Sequence, residues 1–357
     1  MKIVILADSI STQSSGIHYY GVQFVERLIR EFPSNDYHLI ATKKLEQFEI
    51  PQTIIPLKNF PLNLRLRQIF LIPKVVKKLK PDHVIELAHF GPFGLDSNIK
   101  RTTVIHDLTP IYFPAYHSSF SHWMHKLLMP GFIKKADSLI VNSSLTKEDV
   151  IKFEASSHSK LNTIFPDIDI PNSTQKAEHA QGKYLLTVGT IEPRKNYKLL
   201  IEAFKSIGDN DKEVKLIIVG KMGWKMDELQ NLIDQHPHKD RIIITGFIIR
   251  EELWSYYKNA SVFVFASNYE GFGIPVLEAC YHGLPLLLSD VPTSAEIAET
   301  AAIYFNKESS KELSDKAIVL LASNENLVER AKLSKERYPI IKHQAKSQLE
   351  NWYKGIS

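Results

Sequence analysis

Five short, almost uninterrupted apolar runs in the second half of the chain, 184–188, 215–219, 241–245, 261–265 and 284–289, constrain its fold more than any other feature. A strand with one face in water alternates apolar and polar residues. A run such as Tyr184-Leu-Leu-Thr-Val188 does not alternate, which suits parallel strands covered on both faces. Segments with helical spacing, 196–207, 226–236, 250–259 and 274–281, connect the runs. Strand, turn and helix in repetition make a doubly wound α/β domain.

The first half carries the same rhythm less cleanly. Strands are expected at 2–7, 37–42, 53–57, 83–87, 102–107 and 138–142. Residues 8–16 read as a polar turn, followed by a helix on which Ile17, Tyr20, Phe24, Leu28 and Phe32 recur at three- and four-residue steps. The 357 residues exceed one ordinary core. Two Rossmann-like domains are therefore expected, 1–166 and 183–338, facing each other across a cleft. The polar stretch 167–182, with Pro171 and Gly182, joins them. The tail 307–357 reads as helical.

Composition excludes several classes. Lys plus Arg number 44 and Asp plus Glu 40, a net charge of +4, and no stacking-aromatic basic module points to nucleic acid. The single cysteine, Cys280, allows neither an internal disulfide nor a cysteine-based zinc site. No apolar stretch approaches the ~18 residues of a membrane helix, and the amino-terminal run ends at Asp8, short of a secretory signal. A cytoplasmic location is expected.

In open α/β sheets ligands bind beyond the carboxyl ends of the strands, so the residues just after each strand deserve inspection. Glu270-Gly-Phe-Gly-Ile-Pro-Val-Leu-Glu278 follows one strand and opens a helix. Gly271 and Gly273 allow close backbone approach, the helix start favours phosphate, and Glu270 and Glu278 are acceptors suited to sugar and ribose hydroxyls. Val188-Gly-Thr-Ile-Glu-Pro-Arg-Lys-Asn196 follows another strand and places Arg194 and Lys195 at its carboxyl end. Fixed cations there stabilise the charge that grows on a departing diphosphate. His106, in Val104-Ile-His-Asp-Leu-Thr-Pro110, and Gly16, in Ser14-Ser-Gly-Ile17, occupy comparable places in the first half. Asn142, Ser143, Ser144, Gly220, Lys221, Gly246 and Phe247 also follow strands; most of these suit structural roles, Ser143 or Ser144 as a helix cap, with Asn142 where it could line the acceptor side and Gly246 and Phe247 where a base could pack.

The two glutamates, with seven residues between them, resemble the signature of retaining glycosyltransferases with the GT-B fold, in the large group that includes bacterial mannosyltransferases, lipopolysaccharide glucosyltransferases and sucrose synthase. The resemblance covers nearly the whole chain and is strongest over 184–292. It implies that Glu270 and His106 contact the donor sugar, that Glu278 binds the ribose, and that Lys195 binds the diphosphate. It also implies that backbone amides of Phe272, Gly273 and Ile274 contact sugar and diphosphate, that Gly16 and Gly189 lie near the donor, and that a last helix, about 340–357, returns to the first domain. Many members have arginine directly after the glycine, where this chain has Thr190; Arg194 is expected to supply that charge. The strings EPRKN and HDLTPIYFP resemble mannosyltransferases.

The expected activity is therefore transfer of a hexose, mannose from GDP-mannose first, to a glycan or lipid-linked acceptor, with retention and without a metal. A UDP-sugar donor, an epimerase or hydrolase on the same fold, and a non-catalytic sugar-nucleotide binder are the alternatives. No G-x-G-x-x-G opens either domain, which counts against a dehydrogenase. The basic, partly apolar stretch 58–80, with Lys58, Arg65, Arg67, Lys74, Lys77, Lys78 and Lys80, suits either a solvated helix or contact with anionic lipid.

Overall fold

The structure is a computed structural model that describes all residues except 13–15, 58–65, 89, 92–93, 169–176 and 224–226. The chain divides into two compact units, Met1–Asp167 with Gln344–Ser357, and Ile168–His343.

The first unit holds a seven-stranded sheet: β1 (Lys2–Leu6), β2 (Asp36–Ala41), β3 (Gln52–Ile54), β4 (His83–Glu86), β5 (Lys100–Ile105), β6 (Ser138–Val141) and β7 (Leu161–Thr163). Their order is β3-β2-β1-β4-β5-β6-β7, with every pairing parallel. Tyr20, Phe24 and Leu28 of the helix Gly16–Glu31 pack on Ile3, Ile5 and Ile85, where Leu349 and Trp352 from the end of the chain join them. The Trp352 indole donates to Ser138 Oγ at 3.0 Å, which anchors the last helix. Ile72 and Val76 of the helix Ile72–Leu79 close the other face over Val4, Leu6 and Val84.

The expected turn at 8–16 is instead partly helical, Asp8–Thr12. Ile10 is the cause: it is apolar, 2% exposed, and packs into the core beside the sheet, while its amide and that of Ser11 bond back to the Ala7 carbonyl.

The second unit holds β8 (Tyr184–Val188), β9 (Lys215–Val219), β10 (Ile242–Gly246), β11 (Val262–Phe265), β12 (Leu286–Ser289) and β13 (Ala302–Phe305), in the order β10-β9-β8-β11-β12-β13 and again all parallel. Leu185, Leu216, Ile218 and Val264 meet Leu200, Phe204 and Ile207 of the helix Tyr197–Asn210, and Leu313 and Leu320 of the helix Ser310–Leu321. Half of the polar segment 167–182, residues 169–176, lies outside the described residues. Its end packs on this unit, with Ala177 and Ala180 buried and the Ala177 amide donating to Ser255 Oγ. The helix Asn324–Ile356 starts in the second unit and ends in the first.

In both sheets the strand order reverses beside the first strand, between β1 and β4 and between β8 and β11. Ligand sites in such sheets form outside the carboxyl ends at that reversal. Among the described residues, no helix is long and apolar enough to cross a membrane.

Candidate active site

The loop after β8 and the loop after β11 meet at the reversal in the second unit. The Asn268 amide donates to the Arg194 carbonyl at 2.9 Å and ties the two together. Glu270, only 6% exposed, accepts from Lys195 Nζ at 2.7 Å on one oxygen and from Arg194 at 2.7 Å on the other. Arg194 also donates to Glu192 at 2.6 Å and to the Tyr269 carbonyl at 2.9 Å. Burial alone would raise the Glu270 pKa, but Arg194 and Lys195 outweigh it and hold the carboxyl at about 2. Burial pulls the Lys195 pKa down, against the attraction of Glu270. The Lys195 ammonium also sits 4.9 Å above the Phe265 ring. Arg194 is thus a shared partner of two carboxylates, more tightly engaged than the sequence suggests.

Backbone crowding keeps this corner narrow. A Cβ on Gly220, after β9, would lie 2.0 Å from the Gly189 carbonyl oxygen. Tyr197 Oη donates to that same oxygen at 2.9 Å. Lys195 closes a short 3₁₀ turn, Pro193–Lys195, and Asn196 follows in the left-handed region, its side-chain Nδ2 donating to the Lys307 carbonyl. The helix Ile274–His282 begins at Gly273, whose φ of 109° disfavours a side chain, and no side chain caps that end. A helix start with two cations beside it is suited to a polyanion.

Glu278, on the buried side of that helix, is 3% exposed. It accepts from Tyr257 Oη at 2.7 Å and from Arg250 at 3.0 Å. Arg250 in turn lies 4.6 Å over the Trp254 ring. Burial raises the Glu278 pKa and Arg250 opposes it. Two lone pairs are taken, and a carboxylate offers about four. Sequence reasoning did not find Arg250 or Tyr257.

The structure brings Gly189, Thr190, Arg194, Lys195, Gly246, Glu270, Gly271, Phe272, Gly273, Ile274 and Glu278 into one unit, and His106 and Gly16 into the other. Gly246 ends β10, and its carbonyl accepts from the Gly220 amide; Phe247, next to it, is 60% exposed. Gly16 opens its helix, while Ser14 and Ser15 lie outside the described residues. His106 is 4% exposed, and its Nε2 donates to the Leu87 carbonyl at 2.8 Å. That bond leaves Nδ1 as the acceptor, and burial pulls the imidazole pKa down, so the ring is neutral. Ser143 caps the helix Ser144–Phe153 by accepting from the Thr146 amide, and Asn142 accepts from Thr146 Oγ1. A further buried layer lies at the end of β4: Glu86 is 4% exposed, accepts from the Ala88 amide, and is pushed up by burial to about 8.

Residues 169–337 match the family model described as glycosyl transferases group 1, and residues 21–170 match glycosyltransferase family 4. The O-antigen chain mannosyltransferase B of Escherichia coli is 26% identical over 328 residues, 85% of this chain and 86% of that one. The serotype-specific mannosyltransferase WbdA of Escherichia coli is 29% identical over 230 residues, 59% of this chain, and the match spans only 28% of that relative. Among solved structures, WaaG, a glycosyltransferase involved in lipopolysaccharide biosynthesis, superposes with a TM-score of 0.75 at 16% identity over 100% of both chains. Anabaena Alr3699/HepE in complex with UDP and glucose superposes with a TM-score of 0.73 at 17% identity, covering 98% of this chain and 100% of that one.

Proposed function

The chain belongs to the group 1 glycosyltransferases of the GT-B fold, two Rossmann-like domains, and from that premise we propose that it moves a hexose from a nucleoside diphosphate donor to a glycan or lipid-linked acceptor in cell-surface polysaccharide synthesis. One observation carries the reading. The Lys195–Glu270–Arg194 cluster sits at the carboxyl end of β8, beside the uncapped start of the helix Ile274–His282. It offers cations for a diphosphate and a carboxylate for sugar hydroxyls within one set of contacts.

In the proposed reaction Lys195, Arg194 and the amides of Phe272, Gly273 and Ile274 hold the diphosphate. Glu270 and His106 contact the sugar, and Glu278 accepts from the ribose. Gly16 and Gly189 give the donor backbone room. The acceptor oxygen bonds to the anomeric carbon on the face the diphosphate leaves, the bond to the phosphate oxygen breaks, and the acceptor proton passes to that oxygen. Configuration is retained, and the two side-chain cations do the work a divalent metal would otherwise do.

GDP-mannose is the proposed donor, supported by the mannosyltransferase relatives. A UDP-sugar is the second reading, favoured by the structural likeness to a protein solved with UDP and glucose. Peripheral membrane contact through 58–80 belongs to the same proposal and suits a lipid-linked acceptor; Lys58 and Arg65 lie outside the described residues, and Arg67 is buried against Asp8 and so gives no charge to that face.

The test is a thermal-shift panel of GDP, UDP, ADP and CMP with their sugar conjugates, followed by product analysis with the sugar that binds. A ligand at ~100 times its dissociation constant stabilises by about 2.7 kcal/mol. Stabilisation by GDP and GDP-mannose, with acceptor-dependent release of GDP in the presence of EDTA, is the expected result. Stabilisation by UDP alone moves the donor to the second reading. Release of nucleoside diphosphate without any acceptor points to hydrolysis or epimerisation, and binding without turnover to a non-catalytic role.

A further inference from the structure

The helix Ser119–Lys135 of the first unit is apolar on both faces. Met129, Phe132 and Ile133 are buried on one side. On the other, Phe120, Trp123 and Leu127 are 65%, 64% and 75% exposed. They follow each other at three- and four-residue steps, so they form one stripe, which Gly131 and Lys134 continue. A solvated helix carries charges on that side.

The charges present have one sign. Lys126, Lys134 and Lys135 are exposed, and the seventeen residues contain no Asp or Glu. Lys126 Nζ lies 5.4 Å from the Trp123 ring centre. A second segment of the same unit repeats the signature. Leu66, Ile69, Phe70 and Leu71 are exposed, Lys74, Lys77, Lys78 and Lys80 follow them, and residues 66–80 contain no carboxylate.

We propose that the outward face of the helix Ser119–Lys135 docks on an anionic lipid bilayer, with Trp123 and Leu127 entering the headgroup boundary and Lys126, Lys134 and Lys135 resting against lipid phosphates. Charge complementarity selects this partner. Interfaces between proteins are depleted in lysine at their centres, whereas an in-plane amphipathic helix on anionic lipid combines lysine with tryptophan and leucine. The helix lies on the bilayer and does not span it, because Met129, Phe132 and Ile133 are committed to the core. The proposal extends the lipid contact proposed for 58–80 to a second element and does not need the transfer reaction: vesicle binding is read without donor or acceptor.

The test is sedimentation of the full chain with vesicles of phosphatidylcholine alone and of phosphatidylcholine mixed with phosphatidylglycerol. The wild type is expected on the mixed vesicles only, with release at high salt. Trp123→Ser with Leu127→Ser, and separately Lys126→Gln with Lys134→Gln and Lys135→Gln, are each expected to weaken partitioning on the order of 10-fold. Their melting temperatures and donor-induced shifts should match the wild type. Should a variant misfold, Trp123→Phe supplies the second reading: it should still bind, while the blue shift in emission seen when wild type meets vesicles shrinks. Three results overturn the proposal: no binding to mixed vesicles, equal binding to both kinds, or retained binding in the Trp123/Leu127 variant. A wild-type dimer that the same variant dissociates, with no vesicle binding, assigns the face to a second copy of the chain and overturns it as well.

Discussion

Replacing Glu270 by glutamine separates the proposed diphosphate site from a purely structural ion cluster. In the free protein Glu270 occupies both Lys195 and Arg194, so it competes with any anion for them. A unit negative charge about 8 Å from a bound diphosphate, at an effective dielectric of about 20, opposes binding by about 2 kcal/mol. Relaxation of the freed cations takes part of this, and the expected gain in affinity for a free nucleoside diphosphate is on the order of 10-fold. Transfer should move the opposite way, by roughly 100- to 1,000-fold, because a contact to the reacting sugar is gone. Stability should also fall. Breaking a buried ion pair costs about 3–5 kcal/mol, and the lower end applies because glutamine still offers one acceptor. For a unit of this size each kcal/mol moves the melting temperature by about 2–4 °C. Calorimetric titration with GDP and UDP, beside a thermal melt and a transfer assay, reads all three effects. A folded Glu270→Gln protein that binds every nucleoside diphosphate more weakly than wild type would refute the competition on which the site assignment rests. The sign with pH is also fixed. A carboxyl held at about 2 against an ordinary 4.5 contributes stability above the ordinary value and loses it as pH falls through the folded one. Wild type should therefore lose this contribution between pH 4.5 and 2, and the glutamine variant should not.

Arg250→Met should raise the KM for donor about 10-fold with little change in kcat, since it removes the charge that opposes Glu278 protonation; wild type should discriminate against a 2′-deoxy nucleoside diphosphate more than the variant does. Gly220→Ala should destabilise by about 3 kcal/mol or more in urea, because its Cβ would meet the Gly189 carbonyl oxygen at 2.0 Å. Glu86 has the opposite linkage to Glu270: its pKa is raised from 4.5 to about 8, so stability present at acid pH is lost as pH rises through the folded value. The melting temperature of Glu86→Gln relative to wild type should therefore climb between pH 5 and 8. His106→Ala should lower turnover while leaving the affinity for free nucleoside diphosphate within about 2-fold, because the side chain belongs to the other unit.

The second unit was legible because its strands are covered on both faces, so apolar continuity alone marked Tyr184–Val188, Lys215–Val219 and their neighbours. The strands that escaped detection, Leu161–Thr163 and Ala302–Phe305, are short and lie at sheet edges, where three or four residues give no period to read. The Glu270 cluster was half legible. Strand-end logic placed Lys195 and Glu270 in the same corner, but nothing in the spacing disclosed that Arg194 is shared between Glu192 and Glu270. Arg250 and Tyr257 stand 28 and 21 residues before the carboxylate they hold. Only the packing of one helix against the next brings them to it. His106 shows the same limit in reverse: its place after a strand was readable, its burial and its bond to Leu87 were not.

The first six strands of the first sheet follow the same order as the six of the second, so topology by itself does not say which unit receives the anion. Backbone conformation does distinguish them. Among the described residues, glycines with positive φ close three neighbouring strands of the second sheet: Gly189 after β8, Gly220 after β9 and Gly246 at the end of β10. Gly273 adds a fourth at the helix start. In the first unit Gly94 alone is of this kind, and it follows no strand directly. The corresponding strand ends there are occupied by side chains: Asp8 pairs with a fully buried Arg67, and Glu86 is enclosed. A phosphate needs backbone amides brought close, which glycines permit. An acceptor rich in hydroxyls is better met by fixed side-chain groups. We propose on this ground that the donor binds the second unit, where the chain gives up side chains, and the acceptor the first, where it keeps them.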